Sequence, residues 1–203
     1  HGRESVAFYV SGQLLTEDYY VANKLMKGYI GTANIDTNSR LCMSSAVAGY
    51  KRSFGADTVP ASYEDFDSAE LIILVGSNTA WCHPIVFQRI KAIKEQRPSL
   101  KIVVVDPRET ATNEIADLHL PIKAGTDVLL FNALLADVAA KGLIDSDFVS
   151  KHTKGFAETI KAAQQDVGDG LTVAERLGVD EATLDTLKTW FANTPKTMTL
   201  FSM

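Results

Sequence analysis

The residue best suited to chemistry is Cys42, which stands three residues after Ser39 and two after Arg40. The local pattern expects a helix to start there. A thiol at a helix start beside a cation is in a setting that favours thiolate, the form a soft metal binds. Polar loops form the second group of candidates: Ser11-Gly12-Gln13, Gly76-Ser77-Asn78, Asp106-Pro107-Arg108 and Gly125-Thr126-Asp127. Glycine lets a phosphate approach the backbone, a helix start offers free N–H donors, and an acid at a strand end can accept from a ribose or base. That combination suits a nucleotide. Each feature also has a plainer reading. Gly, Ser, Asn and Asp are ordinary residues of turns and caps, and Cys42 without context reads first as a buried cysteine packed by Ala46 and Val47.

The loops need elements to position them, and the apolar pattern supplies these. Residues 5–10 (SVAFYV) read as a buried strand, followed by a helix over 17–29 capped by Thr16 and ended by Gly28 and Gly31. Residues 34–39 read as polar loop and 42–54 as a helix stopped by Gly55. Leu71 to Val75 is a continuous apolar run, the pattern of a strand buried on both faces. A helix follows from near Pro84, with Ile85, Val86, Ile90 and Ile93 on its apolar side. Then come a strand at 101–105, a short edge-like strand at 118–122 containing Pro121, and a helix from Asp127 to about Lys141. Strands alternating with helices imply an α/β fold: a Rossmann-like parallel sheet with helices on both faces. From Ser146 the chain reads as mainly helical, with caps at Asp145 or Ser146, Thr172 and Asp180, and it ends in a strand near Met198 that could rejoin the sheet. The expected division is therefore 1–145, the ligand-binding region, and 146–203, a helical segment ending in a strand.

The whole-chain properties narrow the function classes. With 203 residues and 46% hydrophobic side chains, the chain can bury a sizeable core. A net charge of −5 without a Lys/Arg cluster argues against nucleic acid as partner. Apolar runs fall short of the roughly 20 residues a membrane-spanning helix needs. The two cysteines, Cys42 and Cys82, fit a reducing compartment better than a disulfide framework. No G-x-G-x-x-G follows a strand and no G-x-x-x-x-G-K-[ST] occurs, which disfavours an ordinary NAD or ATP enzyme. Both ends start and stop abruptly, so the expectation is a piece of a longer protein.

Other constellations were weighed. Cys42, Cys82, His83 and His119 could compose a zinc site, but their spacings resemble no zinc ribbon or finger. A cysteine nucleophile with a histidine base is a further alternative. A noncatalytic nucleotide-binding module is another. The acid pairs Glu64/Asp65 and Asp67/Glu70 read as solvated surface, and Trp190 and Phe191 as core.

The stretch NIDTNSRLCMSSAVAGYKRSF at 34–54 resembles the metal-ligand segment of cysteine-ligated molybdopterin oxidoreductases, most of all the assimilatory nitrate reductases. VGSNTAWCHP at 75–84, VVVDPRETAT at 103–112 and ADLHLPIKAGTD at 116–127 extend the resemblance in the family's order. It covers about two-thirds of the chain.

The resemblance implies a fold of the formate dehydrogenase/dimethyl sulfoxide reductase type (domains 1–3) and a molybdenum bis-(molybdopterin guanine dinucleotide) cofactor with Cys42 as protein ligand to the metal. Gln13 and Asn38 would contact the cofactor near the metal. Val75, Gly76, Ser77, Asn78, Asp106, Pro107, Arg108, Thr110, Gly125, Thr126 and Asp127 would hold its pyrophosphate and guanine ends. Met43 follows the ligand where formate dehydrogenase relatives carry a catalytic histidine, which points to nitrate as substrate and oxygen-atom transfer as reaction. Met43 as plain packing and Arg40 as a surface or phosphate contact stay open beside catalytic roles; Arg40 could attract the anion. The resemblance further implies a 4Fe-4S cluster in the parent protein, with ligands outside this chain, and an electron donor such as ferredoxin, flavodoxin or an NADH-linked subunit. It also implies a cytoplasmic location, and a fragment that is apo and inactive alone.

Overall fold

The computed structural model describes residues 1–202 apart from Asp169, and the side chain of Arg40 is likewise outside the description. The chain divides into two compact units, 1–60 and 61–202.

In the first unit a 3-10 turn, Arg3–Ser5, precedes β1 (Phe8–Val10). The strand expected over 5–10 is thus shorter, and it is not buried: Phe8 and Val10 are half-buried and Tyr9 is exposed. Helix α1 (Thr16–Asn23) follows, with Leu15 rather than Thr16 in the capping place. The chain then widens into a π-helical stretch, Lys24–Ile30, in which Gly28 sits internally; Gly31, at φ 79°, ends it. The expected loop at 34–39 contains β2 (Ile35–Thr37), parallel to β1 with Phe8 opposite Ile35. Ile35 and Thr37 are β-branched strand formers, but three residues in a polar stretch are too short a signal until β1 pairs with them. Helix α2 (Ser39–Cys42) and helix α3 (Ser44–Phe54) are separated by Met43 at φ −97°, ψ 6°. Cys42 therefore ends a one-turn helix instead of starting a long one. Gly55 closes α3 at φ 79°, as expected.

The second unit opens with α4 (Asp65–Ser68) and is built on a parallel sheet. Strand β3 (Leu71–Val75) is followed by α5 (Thr79–Cys82) and α6 (Pro84–Gln96). Next come β4 (Lys101–Val105), a 3-10 turn at Ala111–Ile115 and β5 (Leu118–Leu120). The helices α7 (Asp127–Ala140), α8 (Ser146–His152), α9 (Phe156–Val167), α10 (Val173–Leu177) and α11 (Glu181–Asn193) lead to β6 (Thr197–Phe201). The sheet order is β5-β4-β3-β6, so the last strand does rejoin the sheet, pairing with β3 from Leu71↔Thr197 to Val75↔Phe201.

Strand residues alternate between two cores because successive side chains point to opposite faces. Leu71, Ile73, Val75, Val103, Val105 and Leu120 pack with Leu130, Leu134, Leu177, Leu184 and Leu187 of the later helices. Ile72, Leu74, Ile102 and Val104 pack with Phe66, Phe87, Ile90 and Ile115 on the other face. Both faces are covered, which is what the uninterrupted apolar strands require, and the expected α/β architecture is the observed one. Helix α6 starts at Pro84 as expected, but its buried residues are Phe87 and Ile90, with Val86 and Ile93 half-buried, whereas Ile85 in the first turn is 75% exposed. Asp145, Thr172 and Asp180 cap α8, α10 and α11 as expected. Trp190 and Phe191 pack against the first core. Asp65 and Asp67 act as surface partners, bonding Ser62 N–H at 2.7 Å and Arg89 at 2.8 Å. Among the described residues no helix is long and apolar enough to cross a membrane.

Candidate functional site

In the first unit the parallel pairing of β1 with β2 brings the loops that follow them to one edge. Gly12 N–H donates to Asn38 Oδ1 at 2.5 Å across 26 residues of sequence. The contact depends on glycine: a Cβ on Gly12 would lie 2.5 Å from Ser39 Oγ and 2.9 Å from Asn38 Oδ1. The Tyr19 hydroxyl donates to Ser11 C=O at 2.6 Å, and Gln13 N–H donates to Ser11 Oγ at 3.2 Å. Gln13 itself is exposed. Gln13 and Asn38 thus flank one junction, as the reading of both as ligand contacts requires, although Asn38 Oδ1 already serves Gly12.

Cys42 follows from that junction, its N–H donating to Asn38 C=O at 2.9 Å. Its thiol is free and exposed, which removes the reading of a cysteine buried against Ala46 and Val47. Met43, 37% exposed, supplies the carbonyl that accepts Val47 N–H at 2.8 Å and so starts α3. Expectations for the Arg40 side chain fall outside the described residues. Gly12 and Ser39 are the residues whose part in the junction sequence reasoning missed, because a steric requirement between two loops leaves no pattern within either.

In the second unit the carboxyl ends of β3, β4 and β5 lie side by side, joined by Gly76 N–H to Val105 C=O at 2.8 Å and Asp106 N–H to Leu120 C=O at 3.2 Å. In open parallel sheets this edge is where ligands bind. Val75 is buried and Gly76 is exposed in the left-handed region at φ 56°. Buried Ser77 shares a hydrogen bond with Thr79 at 2.5 Å. Asp106 is buried, and its Oδ1 accepts from Arg108 N–H at 2.9 Å, bending the chain so that Pro107 and Arg108 face solvent. His119 Nε2 lies 2.9 Å from Asp106 C=O; since a carbonyl only accepts, Nε2 carries the proton in that bond. Gly125, Thr126 and Asp127 lead into α7. Thr126 does not cap it, since its hydroxyl donates to Lys123 C=O at 2.6 Å.

Among the described residues Asn78 Oδ1 is buried without a hydrogen-bond partner; Thr110 Oγ1, also buried, faces the Asn113 N–H in a capping box at the start of the 3-10 turn but makes no full hydrogen bond. Both lie on this edge, in loops singled out for ligand chemistry. Buried polar atoms are normally paired, and an orphan asks for a missing partner. Sequence reasoning missed Thr112, which accepts from Ala80 N–H at 3.1 Å, and weighed His119 only as a zinc ligand, whereas it bonds Asp106 C=O. Both lie within the stretches 103–112 and 116–127 that carried the resemblance, so the signal was there.

The fold is α/β, with an exposed cysteine after a strand-end junction in the first unit and, in the second, a parallel sheet whose carboxyl edge carries an unpaired buried amide oxygen. The chain belongs to the molybdopterin oxidoreductase family, whose model matches residues 1–199. It is 51% identical over 203 residues to a nitrate reductase of Klebsiella oxytoca, covering 100% of this chain and 23% of that protein. A nitrate reductase of Shewanella frigidimarina is 50% identical over 98% of this chain and 21% of its own length. The chain thus spans less than a quarter of either relative. Among solved structures, acetylene hydratase from Pelobacter acetylenicus superposes with a TM-score of 0.68 at 25% identity, over 89% of this chain and 24% of that one.

Family membership implies a molybdenum–pterin cofactor, and the residues present fit such a group. Cys42 offers an uncovered thiol of the kind a soft metal takes, and the unpaired Asn78 Oδ1 offers acceptor capacity to a nucleotide.

Proposed function

We propose that this chain is part of the catalytic subunit of a molybdenum-dependent nitrate reductase that converts nitrate to nitrite with a bis-(molybdopterin guanine dinucleotide) cofactor. The observation that carries the reading is the free, exposed Cys42 thiol, followed by Met43 and reached directly from the Gln13/Asn38 junction. The relatives support the substrate; they include a periplasmic nitrate reductase of Desulfovibrio desulfuricans, 49% identical over 134 residues, and an assimilatory one of Haloferax mediterranei, 38% identical over 184.

When bound, the molybdenum–pterin group supplies two-electron oxygen-atom transfer. The protein's part is to hold and orient it. Cys42 Sγ is the protein ligand to the metal. Gln13 and Asn38 meet the cofactor near that ligand, and Arg40 adds a cation for the incoming anion. Met43 leaves the position after the ligand without a titratable group, so no proton is handled there. Gly76 and Gly125 give backbone access for pyrophosphate, the start of the 14-residue α7 at Asp127 offers free N–H groups, and Asn78 Oδ1 accepts an N–H from the guanine end. Ser77 and Val75 fix the Gly76 turn, while Asp106, Pro107, Arg108 and Thr110 line the neighbouring loop.

In this reading residues 1–145 form the cofactor-binding region and 146–203 the helical segment that returns a strand to the sheet. The complete subunit carries a 4Fe-4S cluster, takes electrons from ferredoxin, flavodoxin or an NADH-linked partner, and works in the cytoplasm; the 203-residue chain alone turns over no nitrate.

The test is anaerobic nitrate-dependent oxidation of reduced viologen by the complete subunit, beside its Cys42→Ala variant. Turnover that Cys42→Ala abolishes is the expected result. Undiminished turnover in Cys42→Ala would refute the ligand assignment. A molybdenum-loaded wild-type enzyme inert to nitrate would refute the substrate.

A further inference from the structure

Helix α5 starts without a cap of its own. The residue before it, Asn78, is left-handed at φ 39°, ψ 50°, and its side chain makes no bond to the helix. An asparagine in that place ordinarily turns its side-chain oxygen onto an N–H of the first turn. Here the cap comes from another loop: Ala80 N–H donates to Thr112 Oγ1 at 3.1 Å, 32 residues away in sequence. Thr112 is 1% exposed, so water does not compete for that bond.

The substitution of one cap by another has a consequence for Asn78. Its Oδ1 is left buried with no partner, in a backbone conformation that non-glycine residues seldom adopt. Two unfavourable features at one residue persist only where the surroundings impose them, and such positions cluster where a ligand is met. The surroundings in this case are a hydrogen bond from the neighbouring strand-end loop.

We propose that Thr112 is a positioning residue: by capping α5 from across the sheet edge, it frees the Asn78 side-chain carbonyl to accept an N–H from the nucleotide end of the cofactor. The inference rests on the reading of Asn78 as a cofactor contact given above. Thr112 touches no ligand itself. It acts through the α5 start, and so its loss loosens the nucleotide without altering the metal ligand.

Four variants of the complete, cofactor-loaded subunit test this: Thr112→Val, Thr112→Ser, Asn78→Ala, and Thr112→Val combined with Asn78→Ala. The readouts are the rate at which guanine nucleotide is lost on dilution, followed by chromatography, and the melting temperature. Thr112→Val should speed nucleotide loss about tenfold and Asn78→Ala by a similar factor, the scale of one buried hydrogen bond. Thr112→Ser should behave as wild type. On the Asn78→Ala background Thr112→Val should add nothing, because the two act as one unit. A lowered melting temperature with wild-type retention in Thr112→Val, or full additivity in the double variant, would overturn the proposal while leaving Asn78 as a contact. Wild-type retention in Asn78→Ala would instead refute the cofactor reading of Asn78 and this inference with it. Where Thr112→Val does not accumulate, Thr112→Ala removes the same acceptor and gives the same readout.

Discussion

The two units support their candidate residues by different means. In 61–202 the strands Leu71–Val75 and Lys101–Val105 are almost wholly buried between two cores, and the loops of interest spring from their ends. Among the described residues of 1–60 the buried ones are Met26, Thr32 and Val47, while Leu15 and Leu41 are each 71% exposed and Tyr29 is 77% exposed. A two-stranded sheet with so little beneath it gains little from burial. The junction that leads to Cys42 is held instead by short hydrogen bonds between loops. The Cys42 segment is thus held by a few contacts, and the strand-end loops of 61–202 by a packed sheet. One substitution at a loop contact can open the former, whereas the strands beneath the latter shift only when the core is damaged.

That contrast can be broken by mutation. Ile102→Ala, at a fully buried position, should cost about 2–5 kcal/mol in urea unfolding, whereas Leu15→Ala should stay within about 0.5 kcal/mol. Equal costs would mean the first unit has a core of comparable weight.

A smaller effect separates two glycines. Gly12→Ala places a Cβ against Ser39 and Asn38 and should cost about 1–3 kcal/mol as overpacking, seen as faster hydrogen exchange at the Gly12 and Cys42 amides. Gly76→Ala meets no atom within 4 Å and should cost about 1–2 kcal/mol through its left-handed backbone alone, with exchange across β3 unchanged. If Gly12→Ala leaves exchange untouched, the clamp between the two loops is not what holds the junction.

Within the second unit, local caps should count for less than the core. Thr172 Oγ1 accepts from Glu175 N–H at 3.2 Å while Glu175 returns the bond to Thr172 N–H at 2.8 Å. Thr172→Ala should therefore cost about 1 kcal/mol in the same unfolding experiment. A loss as large as that of Ile102→Ala would show the helical segment to be the weaker anchor.

The smallest effect is a pH dependence. Hydrogen bonds from Asn132 and then Arg176 hold the Asp166 carboxyl below its ordinary 3.8. A native value below the unfolded one contributes stability that is fully present above the ordinary pKa and disappears as pH falls through the depressed one. Asp166→Asn should flatten that acid-side loss in stability measured from about pH 6 to pH 2. An unchanged acid limb would show that this carboxylate is not linked to folding.

How much of this was legible in the sequence depends on the range of the interaction concerned. The runs LIILV and KIVVV announce buried parallel strands, because a strand covered on both faces needs apolar residues at every position. Asp145, Thr172 and Asp180 announce helix starts through bonds only three residues long. The loops with Gly76, Asp106 and Gly125 were legible as ligand-type turns for the same local reason, and the family resemblance at 34–54 and 75–127 singled out Cys42.

Other features depend on partners distant in sequence. Strand β2, three residues long within a polar stretch, is set by its pairing with β1. The break at Met43, which ends α2 at Cys42, and the π-helical stretch before Gly31 depend on how each turn is accommodated. Gly12 against Ser39, and Thr112 capping α5 so that Asn78 is left unpaired, join residues 27 and 32 positions apart. Local chemistry and the buried pattern were therefore determined by the sequence itself. Which loops meet, and which polar atoms are left free by that meeting, was decided by the tertiary structure, because a hydrogen bond between loops depends on where the strands have carried them.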